Sequence, residues 1–280
     1  IGGVRLSLMN NGFRDLSRTS YDIGAAYLLP TQTRLKFSRS TGYKTNKAFY
    51  LWWGNGQFIQ REPRRGLEPS ETGTWEGGAE QTIHLGGGRS GVVRATYFHT
   101  EESGLFNFGN SGSGIPFFDA ARARGFELWT EWRLGRVRPF ASFTNLSNVR
   151  TGSTNPLANN VDLRFTPLPS RASGFGAQIE ATRKLMLVVM GYYDSGGIQE
   201  QVVNDSIVVS RYGEFVKVNA AVSYSLSERL SLIGRVDNLL NRRDLGYSRT
   251  VLNQDGSSQN VAGTQRDPGT IFAGGLQYRF

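Results

Sequence analysis

Along most of this chain apolar residues alternate with small or polar ones, and a period of two places successive side chains on opposite faces of a strand. At the C-terminus Thr270, Phe272, Gly274, Leu276, Tyr278 and Phe280 share one face, while Ile271, Ala273, Gly275, Gln277 and Arg279 share the other. Leu230, Leu232, Gly234 and Val236 repeat the pattern, as do Val216, Val218, Ala220, Val222, Tyr224 and Leu226. Carried along the chain, this alternation predicts about twelve strands. They fall near 2–9, 20–29, 33–40, 71–84, 91–101, 125–134, 137–144, 173–182, 185–195, 214–226, 230–238 and 270–280.

The connections between these segments are alternately short and long. Short turns are expected at Pro30-Thr31-Gln32, Gly86-Gly87-Gly88-Arg89, Gly135-Arg136, Arg183-Lys184 and Ser227-Glu228-Arg229. Long polar loops are expected near 10–19, 41–70, 102–124, 145–172, 196–213 and 239–269. Loops of that length count against a soluble sandwich. They are usual in an outer-membrane barrel, whose periplasmic turns are short and whose extracellular loops are long. Strands of about 9 to 11 residues also suit a tilted bilayer crossing. The predicted fold is therefore all-β, an antiparallel transmembrane barrel with its apolar face toward lipid and its polar face toward the lumen. The lumenal set is Arg34, Lys36, Arg94, Glu127, Glu131, Arg133, Gln178, Glu180, Lys217, Arg235 and Arg279. Glu127, Glu131 and Arg133 alternate in a way that suggests lumenal ion pairs. Tyr27, Trp132, Tyr224, Tyr278 and Phe280 sit on the apolar face near the short-turn side, the level at which interfacial rings gather.

Composition agrees. Hydrophobic residues make up 38% of the chain, too few for helical spans but enough when one face per strand meets lipid. Thirty-five glycines suit closely spaced strands and turns, and the absence of cysteine removes disulfides, thiolate nucleophiles and Cys-containing zinc sites. Ile1-Gly2-Gly3-Val4-Arg5 is neither a start methionine nor a signal peptide.

Four stretches resemble the TonB-dependent outer-membrane receptors, plugged 22-stranded transporters for siderophores, cobalamin and similar scarce nutrients. Arg65-Gly66-Leu67-Glu68-Pro69-Ser70-Glu71-Thr72-Gly73 is similar to the family's "N-x-x-L-x-P-E" and "E-x-G" entry into a strand, with Gly66 in place of Asn or Asp and Glu71 one place late. Thr166-Pro167-Leu168-Pro169-Ser170-Arg171 is similar to its "V-P-x-H" run. Val236-Asp237-Asn238-Leu239-Leu240-Asn241-Arg242-Arg243 resembles "V-x-N-L-F-N-R-x-Y", with Leu240 for Phe, and Gly269 to Phe280 resembles the last strand. The resemblance implies that residues 1–280 are the C-terminal portion of such a barrel, without the plug domain and the N-terminal strands. It further implies import by a TonB-coupled step, with the TonB complex engaged through the missing N-terminal part. Gly275, Tyr278 and Phe280 would then form the assembly signal read by the barrel-insertion machinery. The alternative is a complete 12-stranded porin or channel, which the even strand number allows.

Enzymatic chemistry is disfavoured. Only His84 and His99 are present, no Ser lies close to His99 on its face, and no pair of histidines has ligand spacing. His84 is expected beside a turn and His99 at a loop edge. Neither a cofactor nor a metal is implied. The net charge of +9 comes mainly from Arg spread over strands and loops, so nucleic acid is not the expected partner. Anionic ligands at the mouth, or outer-membrane lipid and lipopolysaccharide phosphates, suit it better. The small-molecule ligand is expected at the loop 41–70, where Tyr50, Trp52, Trp53, Arg61, Arg64 and Arg65 concentrate, with a second candidate loop at 103–119.

Overall fold

The computed structural model describes residues 2–10, 15–44, 69–104, 118–153, 163–164, 170–203, 206–252, 257–266 and 268–278, and every regular element among them is a strand. In chain order these are β1 (Gly2–Asn10), β2 (Asp15–Leu28), β3 (Thr33–Lys44), β4 (Ser70–Gly86), β5 (Arg89–Ser103), β6 (Phe118–Arg133), β7 (Val137–Ser153), β8 (Leu163–Arg164) and β9 (Arg171–Glu180). They continue as β10 (Leu185–Asp194), β11 (Gly197–Val203), β12 (Ser206–Tyr212), β13 (Phe215–Ser225), β14 (Leu230–Asp237), β15 (Asp244–Leu252), β16 (Ser258–Arg266) and β17 (Ile271–Tyr278).

The main sheet runs β1-β2-β3-β4-β5-β6-β7-β9-β10-β13-β14-β17, every neighbouring pair antiparallel, with β8 added beside β7. Its twelve through-strands correspond one for one to the twelve predicted. A second sheet, in the order β11-β12-β15-β16, repeats the neighbour order of β10, β13, β14 and β17. Each of its strands adjoins one of those four along the chain, so it prolongs them on the long-connection side. Residues 196–213 and 239–269, expected as loops, are therefore largely paired strand. Val208 and Val209, adjacent in β12, are both buried, as is Ser210. Adjacent residues point to opposite faces, so β12 is covered on both. That double covering erases the alternation by which the other strands are recognisable.

The remaining corrections concern lengths. The connection expected at 10–19 shrinks to 11–14, because Leu8↔Ser17, Met9↔Leu16 and Asn10↔Asp15 keep the hairpin paired almost to its tip. β6 starts at Phe118 and β7 ends at Ser153, well into the expected loops, held by a ladder from Phe118↔Ser153 to Glu131↔Phe140.

Aromatic rings fit over glycines on neighbouring strands. A Cβ on Gly125 would come within 2.9 Å of the Phe98 ring, one on Gly176 within 2.8 Å of Phe140, and one on Gly191 within 2.4 Å of Phe175. In each case ring and glycine are direct cross-strand partners. A glycine leaves strand backbone bare, and an aromatic ring on its partner covers it, pinning the register.

Candidate functional site

The register assigns side chains to the two faces. Arg34 pairs with Glu80, Glu80 with Arg94 and Arg94 with Trp129, so all four lie on one face. Phe37, Tyr97, Phe126, Leu128, Phe175, Leu232 and Leu276 lie on the other, and all are exposed. This is the polar-inside, apolar-outside division of a membrane barrel, and it brings together the expected lumenal residues on β3, β5, β6, β9, β13 and β14. Tyr27 and Tyr224 stand exposed on the outer face near the short turns, as expected.

Lumenal polarity is concentrated around Glu80, which the sequence reading did not single out. Its carboxylate meets Arg34 at 3.3 Å, Lys36 at 3.1 Å and Arg94 at 2.8 Å, and its side chain is only 14% exposed. The Arg94 guanidinium also lies 5.2 Å from the Trp129 ring centroid. Three cations thus meet on one carboxylate, and with Glu76 nearby the five groups leave one net positive charge. Beside them is an open cavity of ≈ 670 Å³, lined in part by Gly24, Ala26, Lys36, Glu76, Glu80 and Arg94. Small residues make the room. Gly78 in the same wall could not be enlarged, because its Cβ would come within 2.7 Å of the Ala95 carbonyl oxygen. Such a site suits an anionic group, held by Lys and Arg in a partly desolvated wall.

The lumenal wall is otherwise uneven. Arg138 pairs with Glu180 at 3.0 Å and Arg235 with Asp237 at 3.0 Å. On β10 the lumenal positions are instead Met186, Val188, Met190 and Tyr192, set by Met186↔Glu180, Val188↔Gln178 and Tyr192↔Lys217. The ion pairs expected of Glu127, Glu131 and Arg133 do not form among the described residues. In register Glu127 faces Thr96 and Thr144, and Glu131 faces Val92 and Phe140. Neutral cross-strand neighbours therefore take the places of counter-ions.

A second cluster explains the Asn238 motif. Asn238 is buried and has φ 57°. Its Nδ2 donates to the Arg242 carbonyl at 2.8 Å and to the Pro268 carbonyl at 3.2 Å, and its Oδ1 accepts from the Arg242 amide at 3.0 Å. Its own amide donates to Asn219 Oδ1 at 2.8 Å, and its carbonyl accepts from Thr270 Oγ1 at 2.9 Å. One side chain thus ties the end of β14 to the approach to β17 while its backbone holds β13. Asn is suited to this position because it tolerates the left-handed region and bonds locally to backbone.

Tyr50, Trp52, Trp53, Arg61, Arg64 and Arg65 lie outside the described residues, as do the loop 105–117 and Phe280. Gly275 pairs with Ile233 and Tyr278 with Leu230, with Tyr278 52% exposed on the outer face. His84 lies next to the β4–β5 turn as expected, its Nε2 3.2 Å from Gln32 Oε1. His99 lies within β5, stacked on Trp75 at 5.6 Å and 3.0 Å from Glu101, so its setting is the outer wall of the sheet.

A family profile described as "TonB dependent receptor-like, beta-barrel" matches residues 1–239. No curated protein matches the sequence. Among solved structures, the ferric-catecholate import receptor Fiu from E. coli K12 superposes with a TM-score of 0.65 at 13% identity, over 95% of this chain and 36% of that one. A ferric enterobactin receptor, PfeA, from Pseudomonas aeruginosa, solved in complex with enterobactin, gives 0.64 at 17% identity over 94% and 40%. The copper transporter OprC gives 0.67 at 15% identity over 100% and 45%. The chain thus spans less than half the length of these structures, and at such identities the likeness is one of fold. The family match agrees with the motif resemblance and with the two-faced sheet: the chain belongs to the TonB-dependent receptor β-barrel family.

Proposed function

We propose that this chain is the C-terminal portion of an outer-membrane receptor that imports a scarce ligand, a siderophore, cobalamin or similar, by a TonB-coupled step. The observation that carries the reading is the Glu80 cluster, three cations gathered on one carboxylate in the lumenal wall of a barrel in a receptor family. Ferric catecholate complexes, the cargo named for one solved relative of the fold beside the ferric enterobactin of another, are anionic and aromatic. Capture is assigned to the 41–70 connection, whose Tyr50, Trp52, Trp53, Arg61, Arg64 and Arg65 supply rings and guanidiniums for such a ligand. The TonB complex acts through a part of the protein outside this chain, and the barrel-insertion machinery reads the terminal strand. Phosphate-bearing outer-membrane lipid surrounds the wall.

The porin reading gains nothing from the strand order, in which β1 and β17 occupy opposite ends of the sheet and do not pair. The test is uptake of radiolabelled iron complexed to a catecholate siderophore by cells expressing the full-length parent, with and without an intact TonB complex. Saturable uptake lost without TonB is expected, together with at least tenfold weaker binding when Trp52, Trp53, Arg64 and Arg65 are changed to Ala. Non-saturable, TonB-independent uptake with open-channel conductance would overturn the import reading in favour of a porin. Unchanged affinity in the loop variant would remove the binding assignment alone.

A further inference from the structure

Six cations gather at four neighbouring short turns. They are Arg89 between β4 and β5, Arg133 and Arg136 between β6 and β7, Arg183 and Lys184 between β9 and β10, and Arg229 between β13 and β14, and all six are exposed. The same turns hold one carboxylate, Glu228, so five positive charges are left over in a chain whose net charge is +9. None of the six makes an ion pair among the described residues. The next carboxylates inward are Glu131, two residues from Arg133, and Glu180, which Arg138 holds at 3.0 Å. The remaining short turn, between β2 and β3, is neutral: Gln32 Oε1 lies 3.2 Å from His84 Nε2, and Gln81 donates to the Thr31 carbonyl at 3.0 Å.

Neighbouring hairpins are two strands apart, so the charged turns follow one another at roughly 10 Å and cover an arc of roughly 30 Å along this edge of the sheet. Parity aims four of the six cations inward. Arg133 is two residues past Glu131, Arg136 two before Arg138, Lys184 two before Met186 and Arg229 two before Ser231, all lumenal positions. Leu85, Leu134 and Leu226, the exposed apolar residues beside the same turns, have the opposite parity. Cations that served lipid headgroups would lie on the lipid side with those leucines. The charged turns also contain no aromatic ring, whereas a folded protein partner would need an apolar or aromatic centre to anchor it. The arrangement therefore suits an extended polymer with repeated anionic groups, held by charge.

From this we infer that the short-turn rim from β4 to β14 is a docking surface for peptidoglycan, a periplasmic polymer whose peptide stems carry free carboxylates, with Arg133, Arg136, Lys184 and Arg229 as the principal contacts. The guanidiniums match carboxylates bidentately, Lys184 adds a point charge, and contacts repeated along one polymer reinforce each other. Glu228 beside Arg229 weakens the last contact, which makes the β6–β7 and β9–β10 turns the centre of the site. The inference rests on the outer-membrane reading, which puts the short turns in the periplasm, and not on the identity of the imported ligand.

The test uses the full-length parent, purified in mild detergent and sedimented with isolated peptidoglycan sacculi. Saturable retention on the sacculi is expected, and it should be lost in 1 M salt, where the Debye length is about 3 Å. Changing Arg133, Arg136, Lys184 and Arg229 together to Gln should weaken retention at least tenfold. Removing the same number of charges at Arg39, Arg122, Arg124 and Arg171, toward the long connections, should leave it unchanged. Amidating the sacculus carboxylates should weaken it at least tenfold as well. Equal losses in the two quadruple variants would reduce the effect to net charge and overturn the site, as would full retention by the first variant or on amidated sacculi. Retention of phosphatidylglycerol that depends on the four residues, while sacculus binding does not, would assign the rim to lipid instead. If the first variant does not assemble, changing Lys184 and Arg229 alone to Gln is expected to weaken retention severalfold, and no effect there is equally fatal. Intact retention with TonB-independent uptake would refute the import reading alone, whereas absent retention beside TonB-coupled uptake would refute this inference alone.

Discussion

The indole of Trp132 lies over Gly91, its direct partner on the neighbouring strand, so closely that a Cβ on Gly91 would come within 2.2 Å of the ring. Ring and glycine form one unit, so that enlarging the glycine displaces the ring. Gly91→Ala should lower the stability of the folded barrel by about 1 to 3 kcal/mol, as overpacking does. Adding Trp132→Ala should recover part of that loss, which urea titration of the parent in lipid vesicles would measure. An unchanged midpoint in the single variant would mean that the ring swings aside freely.

Asn238 is expected to be as sensitive. Asn238→Ala removes three side-chain hydrogen bonds and places Ala at φ 57°, so a loss of about 2 kcal/mol or more should follow. Asn238→Gly removes the same bonds but relieves the backbone, and should fall about 1 kcal/mol short of that loss. Equal losses for the two variants, measured by the same titration, would show that the backbone carries no strain there.

Glu80 holds its cations together electrostatically, and salt should reveal it. Glu80→Gln leaves Arg34, Lys36 and Arg94 facing a neutral amide. The barrel should lose about 1 kcal/mol at low ionic strength, and the loss should shrink in 1 M salt, where the Debye length is about 3 Å. A salt-independent loss would point to packing instead.

The orientation of the wall can be read chemically. Cysteines at Asn55, Ser111 and Asn155, in the connections on the long side, should react with an impermeant thiol reagent on intact cells expressing the parent. Those at Arg183 and Glu228, in short turns, should react only after the outer membrane is permeabilised. The reverse pattern would invert the assignment.

The end of the chain offers a test of assembly. Burying Phe280 in lipid should contribute on the order of 1.5 to 3 kcal/mol, as any large apolar side chain does. If the insertion machinery also reads it, deleting Phe280 should reduce surface-labelled parent far more than Leu232→Ala, a change at an exposed outer-face position paired with Leu276. Equal levels would reduce Phe280 to another membrane-facing ring.

How much of this was legible in the sequence varied with how one-sided each segment is. β13, β14 and β17 meet lipid on one face only, so Val216 to Leu226 and Leu230 to Val236 display an alternation that locates them directly. β12 is covered on both faces, and its consecutive Val208 and Val209 carry no period. The candidate site was legible by half. Arg34, Lys36 and Arg94 are recognisable as lumenal from parity, but their meeting on Glu80 depends on two registers, that of β4 on β5, fixed by a short turn, and that of β3 on β4, which a long connection leaves open. The Asn238 motif was visible as a resemblance, while its work as a clamp depends on Pro268 and Thr270, distant in sequence.

The uneven lumenal wall has a geometric corollary. With cations gathered on β3–β5 and Met186, Met190 and Tyr192 on β10, water and counter-ions are drawn to one stretch of the lumenal face, while another stretch favours contact with non-polar matter. A solid body resting on this face meets it best where polar matches polar and apolar matches apolar. This part of the wall is therefore keyed by polarity, so that sliding an apolar body along it from β10 toward β3–β5 is resisted even where its shape would permit it.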